Sequence, residues 1–225
     1  MIMLKINNLT AGYKAGDPIL EDINLEINTG ETLLIIGKNG AGKSTLVKSL
    51  INNLPFMEGE IIFDNSTLFN SIKNIKVETS KIINNGIGYF LQGGRVFPQL
   101  TVEENLSIAG KYDYQNSKYF RNFNLDLKTI LKNNLMNLKE KANYLSLGQK
   151  HILALIMVLL KEPKLLILDE PTAGLDDKNV DLVIDIITKL KKGNELSILL
   201  VEHRTEEIRS LADRRVEIID GKIKT

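Results

Sequence analysis

A glycine-rich loop that joins a buried strand to a helix constrains this chain more than any other feature. The strand is the apolar run Thr32–Ile36, whose lack of alternation is typical of a strand buried on both faces. The loop Gly37–Ser44 fits the spacing G-x-x-x-x-G-K-S/T, and Thr45–Leu50 is predicted to be a helix. Because the backbone N–H groups of such a loop and the helix N-terminus both face phosphate oxygens, the segment predicts a nucleoside triphosphate site.

The same spacing assigns roles to single residues of the loop. Lys43 is expected to reach the β- and γ-phosphates and to assist catalysis, and Ser44 is expected to bind Mg²⁺. The residues expected to contact the nucleotide are Gly37, Asn39, Gly40, Ala41, Gly42, Lys43, Ser44 and Thr45.

Two adjacent acidic residues complete the predicted site. The apolar run Leu165–Leu168 ends in Asp169 and Glu170, which would place both carboxylates at the carboxyl edge of a parallel sheet, where ligands of such folds bind. Asp169 is expected to hold Mg²⁺ through water, and Glu170 to polarise the attacking water. Solvated acids at a strand end are the alternative interpretation, which the neighbouring phosphate loop makes the weaker one.

Composition excludes several other classes of protein. The chain has 225 residues, a net charge of +1 and no cysteine, which excludes disulfide scaffolds, thiolate metal sites and a general attraction to nucleic acid. The segment Met1–Asn8 lacks the pattern of a signal peptide, and the apolar run Ile152–Leu160 is shorter than the roughly 20 residues of a spanning helix. We therefore expect a cytoplasmic protein that reaches a membrane only through a partner.

The order of the predicted elements indicates an α/β protein with one helical insertion. Strands are predicted at Leu4–Leu9 and Ile19–Ile27, short strands at 59–92, and helices at 95–145, where Thr101–Glu104 fits a capping box. The remaining predicted elements are a helix to Leu160, a strand at Leu165–Leu168, a helix at Val180–Leu190, a strand at Leu196–Val201, a helix at Thr205–Leu211 and a hairpin at Asp220–Gly221. Alternating helices and buried strands predict a parallel sheet.

The motifs together resemble the ATPase subunit of an ABC transporter over nearly the whole chain. They occur in this order: Gly37–Ser44, Gln92, Leu145–Gln149, Leu165–Glu170, Ala173–Asp176 and His203. The resemblance implies a phosphate-loop ABC ATPase fold, with a RecA-like parallel core, an N-terminal antiparallel β subdomain and a small helical subdomain. It implies one domain over 1–225, in which 1–92 and 150–225 form the nucleotide-binding core and 93–149 forms the helical subdomain.

The resemblance also implies roles for three residues outside the loop. Tyr13 would stack on the adenine, although a tyrosine packing locally is the alternative. Gln92 would contact Mg²⁺ and the attacking water, and would link the site to the helical subdomain. His203 would bind the γ-phosphate and help to place the water, although it could instead be a polar strand terminus.

The resemblance further implies that the chain works as a dimer. Ser146, Gly148 and Gln149 would open a helix that binds the γ-phosphate of ATP held by a second ATPase subunit, identical or different. Asp176 would lie at the same dimer seam, and it could equally be the N-cap of the helix that follows.

The chain departs from the family pattern at two points. Leu147 replaces the usual first glycine of the Leu-Ser-Gly-Gly-Gln loop, so weaker or altered contact with the second subunit's phosphate is expected. The helix Ile152–Leu160 lacks the usual basic residues, and Met157 stands where an arginine is common.

The implied function is Mg-ATP hydrolysis by a dimer that powers membrane permease subunits. The stretch Gly94–Leu106 is similar to branched-chain amino acid and urea uptake ATPases, and less so to lipopolysaccharide-export ATPases. Phe97 and the aromatic residues within 112–123 could dock on the permease or form the subdomain core. Non-transport ATPases acting on ribosomes or DNA remain an alternative, which the balanced charge disfavours. A hydrolysis-impaired module is disfavoured by Lys43, Asp169, Glu170 and His203.

Overall fold

The computed structural model describes residues 1–110, 120, 122–123, 125–133, 137–193, 195–202 and 206–224. The strands are β1 (Ile2–Gly12), β2 (Leu20–Asn28), β3 (Thr32–Ile36), β4 (Phe56–Phe63), β5 (Ser66–Asn70), β6 (Ile75–Lys76), β7 (Ile87–Phe90), β8 (Leu165–Asp169), β9 (Ser197–Val201), β10 (Arg214–Ile219) and β11 (Lys222–Lys224). The helices are α1 (Lys43–Leu50), α2 (Thr79–Asn84), α3 (Val102–Gly110), α4 (Leu127–Asn133), α5 (Leu147–Leu159), α6 (Asp177–Lys192) and α7 (Glu206–Leu211), with a 3₁₀ turn at Ala142–Tyr144.

The strands form two sheets, which confirms the predicted fold class. The first is antiparallel along its paired strands, in the order β2-β1-β4-β5-β6. The second has the order β11-β10-β3-β9-β8-β7 and is parallel from β10 to β7. Its antiparallel edge is the predicted hairpin at Asp220–Gly221. The carboxyl ends of β3, β8 and β9 therefore meet at one edge of the sheet.

Alternate residues of the buried strands divide between two hydrophobic clusters. Leu33 and Ile35 of β3 pack with apolar residues of α1, β1 and β2, whereas Leu34 packs with α5 and α6. Because both faces of the parallel sheet are covered, the sequences of β3, β8 and β9 are nearly continuous apolar runs. In β2, which buries one face, Ile23, Leu25 and Ile27 alternate with exposed residues as predicted.

Several predicted boundaries differ from those observed. Helix α1 begins at Lys43 instead of Thr45, and α6 begins at Asp177 instead of Val180. The earlier start of α6 follows from Asp176, whose carboxylate accepts a hydrogen bond from the backbone N–H of Asn179 at 2.9 Å. Helix α2 was not predicted, because it has only six residues and buries only Ile82, so its sequence shows no helical periodicity of apolar residues.

The helical segment is confirmed in its described parts. The predicted capping box is present, because Thr101 N–H donates to Glu104 Oε2 at 2.7 Å and Glu104 N–H donates to Thr101 Oγ1 at 3.2 Å. Phe120 and Phe123 are buried in the core, whereas Phe97 is 49% exposed. Tyr112, Tyr114 and Tyr119 lie outside the described residues. No helix in the described ranges is long and apolar enough to cross a membrane.

One histidine is buried where the helical segment meets the parallel sheet. His151 of α5 is 1% exposed, and its ring centroid lies 4.9 Å from that of Phe90 at the end of β7. Gly94 packs against it so closely that a Cβ there would lie 2.8 Å from His151 Cα. Burial lowers the pKa of His151 and outweighs the opposing effect of the Pro171 backbone.

We expect His151 to make the protein less stable in mild acid. Below the ordinary histidine pKa of about 6.5, the unfolded chain binds a proton that the native state excludes, so stability falls as pH drops, by up to about 1.4 kcal/mol per unit. Urea unfolding at pH 7.5, 6.5 and 5.5 measures the slope. His151→Gln should reduce it, and equal slopes in the two proteins would contradict the expectation.

Candidate functional site

The phosphate loop takes the predicted strand–loop–helix form. Gly42 caps α1 with φ of 108°, a left-handed conformation that favours glycine. A Cβ at Gly42 would lie 2.7 Å from Leu20 Cδ2, so a larger residue here would also have to displace the Leu20 side chain. The turn is closed by a hydrogen bond from Ala41 N–H to Lys38 O at 3.1 Å. The loop thus follows the end of β3 and leads directly into the N-terminus of α1.

Lys43 lies inside the loop. Its side chain is buried, and Nζ donates to Gly37 O at 2.9 Å and to Lys38 O at 3.0 Å. Burial lowers its pKa, while the carboxylates of Glu170, Asp169 and Glu202 act in the opposite direction. Two loop carbonyls therefore hold the ammonium inside the loop. The carboxylates that interact with it electrostatically lie at the ends of the neighbouring strands β8 and β9.

The two predicted acids lie at the adjoining strand end. Asp169 is the last residue of β8 and is buried, and both its burial and the charge of Glu170 raise its pKa. Glu170 has φ of 50°, and its Oε2 accepts a hydrogen bond from Gln92 Nε2 at 2.5 Å. Gln92 and Glu170 are far apart in sequence, and the pairing of β7 with β8 brings them together.

One pocket unites most of the predicted nucleotide residues. It encloses about 380 Å³. Its lining consists of Ile19, Asn39, Gly40, Gly42, Lys43, Ser44, Thr45, Gln92 and Glu170. Sequence reasoning missed Ile19, which follows Asp17-Pro18 and gives no signal of its own.

The hydroxyl of Ser44, the amide of Gln92 and the nearby carboxylate of Asp169 are hard oxygen donors, the type that Mg²⁺ prefers. Because Asp169 is buried beside a second carboxylate, a cation there would relieve its unfavourable charge.

Tyr13 lies beside this loop and not among the lining residues of the pocket. Its hydroxyl accepts a hydrogen bond from Lys48 Nζ at 2.8 Å, and its side chain is 48% exposed. Lys48 belongs to α1, so the contact fixes Tyr13 against the helix that follows the loop. The exposed ring is compatible with stacking, and the contact with Lys48 is compatible with local packing.

The residues predicted to act across a dimer form a helix N-terminus that does not line the pocket. Ser146 caps α5, accepting from Gln149 N–H at 3.2 Å, while Ser146 N–H donates to Gln149 Oε1 at 2.8 Å. A Cβ at Gly148 would lie 2.4 Å from Asn179 Nδ2, and Asn179 in turn donates to Asp176. The N-termini of α5 and α6 therefore touch, with Leu147 53% exposed beside them.

Three residues near the site were not predicted, and one that was predicted falls outside the described residues. Tyr89 of β7 donates through its hydroxyl to Asp169 Oδ2 at 3.5 Å, and burial, followed by the charge of Asp169, raises its pKa. Thr172 donates to Glu202, and both side chains are buried. The position of Glu202 directly after β9 was a usable signal, because the carboxyl ends of parallel strands share one edge. His203, the next residue, lies outside the described ranges.

Comparison with known proteins gives one consistent family. The sequence profile described as ABC transporter matches residues 20–173. A putative hemin import ATP-binding protein of Staphylococcus epidermidis is 32% identical, over 99% of this chain and 98% of its own length. A probable branched-chain amino acid transport ATP-binding protein of Archaeoglobus fulgidus is 32% identical, over 98% of this chain and 90% of its own length.

One solved structure is similar to this protein over nearly the whole length of both chains. It is described as a dimeric, post-hydrolysis state of an ATP-binding cassette bound to ADP and Pi. The two chains are 25% identical with a TM-score of 0.76, and the match covers 99% of this chain and 97% of the other.

Proposed function

The chain belongs to the ABC transporter family as an ATP-binding subunit with ATPase activity, and we propose that it closes as a dimer around two Mg-ATP to drive membrane permease subunits. The observation that supports this most directly is the pocket in which Lys43, Gln92 and Glu170 converge. A nucleoside triphosphate, a cation and an attacking water need these three kinds of group within reach of one another.

Several residues in and around the pocket have a proposed role, which for the described ones agrees with their environment. Lys43, held by two loop carbonyls, binds the β- and γ-phosphates. Ser44, Gln92 and Asp169 would hold Mg²⁺, which would supply charge neutralisation for the transferred phosphoryl group. Glu170 accepts the proton of the attacking water, with Gln92 orienting its carboxylate. Tyr13 stacks on the adenine, and His203 binds the γ-phosphate.

The dimer is supported by the position of the capped N-terminus of α5. Ser146, Gly148 and Gln149 are absent from the pocket lining, so they would serve a nucleotide held by another subunit. The similar cassette that was solved as a dimer with ADP and Pi supports this arrangement. Asp176 serves at once as the N-cap of α6 and as a seam residue. Leu147 projects beside this contact and weakens it.

We place the chain on the cytoplasmic face of the membrane, bound to the permease through the helical subdomain 93–149. Phe97 and Leu91 are 49% and 44% exposed, and Ile108 is 53% exposed, so apolar side chains are available in and next to this segment. Phe120 and Phe123 are buried in the larger hydrophobic cluster, so their side chains are not available for docking. The docking surface therefore rests on Phe97 and not on those two aromatics.

For the transported solute we propose branched-chain amino acids, taken up from outside. The support is the stretch Gly94–Leu106 and the Archaeoglobus fulgidus relative. Loss of the chain should abolish uptake of labelled leucine by intact cells, and the unmodified chain should restore it while Lys43→Met does not. Unchanged leucine uptake would reject this solute, and hemin, named for the Staphylococcus epidermidis relative, would be tested next.

A further inference from the structure

A buried polar pair links the loop after β8 to the end of β9. The Thr172 hydroxyl donates a hydrogen bond to Glu202 Oε1, and the two residues are 2% and 3% exposed. They are 30 residues apart in sequence. A buried carboxylate costs free energy unless it is paired, and apolar residues of the same shape would often be as stable. The pair is therefore better explained by geometry than by stability.

The pair is part of a two-point attachment of the loop that carries Glu170. Glu170 N–H donates to Val201 O at 2.9 Å, and Glu202 is the residue after Val201. Thr172 is attached to Glu202 two residues further along the loop. The segment from Glu170 to Thr172 is thus bound to consecutive residues of one neighbouring strand end, through a backbone bond and a side-chain bond.

The conformation of Glu170 shows why a second attachment is needed. Its φ of 50° lies in the left-handed region, where a non-glycine residue is strained and persists only if its surroundings fix it. The same turn continues into hydrogen bonds from Ala173 N–H to Glu170 O at 3.2 Å and from Leu175 N–H to Thr172 O at 3.3 Å. Thr172 therefore lies between the strained residue and the start of α6.

We propose that the Thr172–Glu202 pair is a positioning device that keeps the Glu170 carboxylate against Gln92, in the place from which it activates water. The inference rests on the proposed ATPase function of this site. Thr172 and Glu202 act through the loop and touch no reacting atom in this role. Loss of the pair should misplace the Glu170 carboxylate while leaving the phosphate loop intact, so turnover should fall and ATP affinity should not.

The test compares two variants of the full chain that differ at one group. Thr172→Val keeps the shape of the side chain and removes the hydroxyl, whereas Thr172→Ser keeps the hydroxyl. Thr172→Val is expected to lower kcat by about 10-fold to 100-fold, because small displacements of a catalytic group have effects of this size. The KM and the Kd for ATP should stay within about twofold, and Thr172→Ser should recover kcat to within about threefold of the unmodified chain.

A double-mutant cycle distinguishes loss of this pair from general destabilisation of the protein. Glu202→Leu should lower kcat at least as much as Thr172→Val, since it also removes a charge that acts on Lys43. The double variant should be no worse than Glu202→Leu alone, because the same pair is removed. Multiplied losses in the double variant, an unaffected kcat in Thr172→Val, or a failure of Thr172→Ser to recover kcat would overturn the proposal. If instead the unmodified chain neither binds nor hydrolyses ATP, the proposed function is what fails.

Discussion

Replacing Glu170 with glutamine is expected to abolish ATP turnover, by at least about 100-fold, while ATP stays bound and the dimer stays closed. Glutamine keeps the size of the side chain and can still bond to Gln92, but it cannot take a proton from water. The substitution also removes the negative charge that raises the pKa of Asp169 and opposes the phosphates. Binding should therefore be as tight as in the unmodified chain or tighter.

Sedimentation velocity with and without Mg-ATP measures this directly, since trapped ATP should convert Glu170→Gln from monomer to dimer. The matched control is Glu78→Gln, an exposed glutamate that pairs with Lys81 at the start of α2 and has no part in the site. This control should keep the turnover of the unmodified chain. Normal hydrolysis by Glu170→Gln would show that Glu170 is not the base.

Leu147 gives that experiment a second arm. If Glu170→Gln binds ATP but stays monomeric, adding Leu147→Gly separates two explanations. Recovery of the dimer would show that Leu147 weakens the contact across the seam, where its side chain lies 53% exposed near Gly174. A chain that stays monomeric even then has a different ATPase subunit as its partner.

Features that local sequence encodes were predicted well. The phosphate loop, the buried strand β3, the cap Asp176 and the final hairpin all depend on residues within a few positions of one another. Each has a short-range physical cause, such as a glycine conformation or a side chain that accepts from a backbone N–H. The parallel sheet also followed from the alternation of apolar runs with helical patterns.

Features that depend on pairing between distant residues could not be read from the chain. Tyr13 meets Lys48 over 35 positions, and Gln92 meets Glu170 over 78 positions. Strand order brings such residues together, and a single sequence does not specify strand order residue by residue. The contact of Gly148 with Asn179 shows the same limit, because it depends on how α5 and α6 approach each other.

The burial of Lys43 lowers the stability of the folded protein but serves ligand binding. An ammonium in this position loses hydration, which is why burial lowers its pKa, and the carboxylates of Glu170, Asp169 and Glu202 offset this only in part. Natural proteins accept such costs at binding sites because the same desolvated charge binds a ligand strongly. The phosphate loop is therefore the place where a substitution can remove function without harming the fold.

Lys43→Met is expected to lower ATP affinity and turnover by at least about 100-fold, because each charge-assisted hydrogen bond to a phosphate is worth about 1.5–3 kcal/mol. Methionine has no charge to desolvate, and water can replace the ammonium at the carbonyls of Gly37 and Lys38, which are not fully buried. The stability of the protein should therefore change by no more than about 1 kcal/mol. The matched control is Lys38→Met, which removes an equal charge from an exposed side chain of the same loop and should change affinity by less than about threefold. Calorimetric titration with Mg-ATP measures the affinity, and urea unfolding measures the stability, of the three proteins.

A large loss of affinity in Lys38→Met would mean that the net charge of the loop binds the nucleotide. A large loss of stability in Lys43→Met would mean that the lysine is a structural residue. Lost affinity in Lys43→Met alone, with an intact fold, is the result that a phosphate-binding lysine requires.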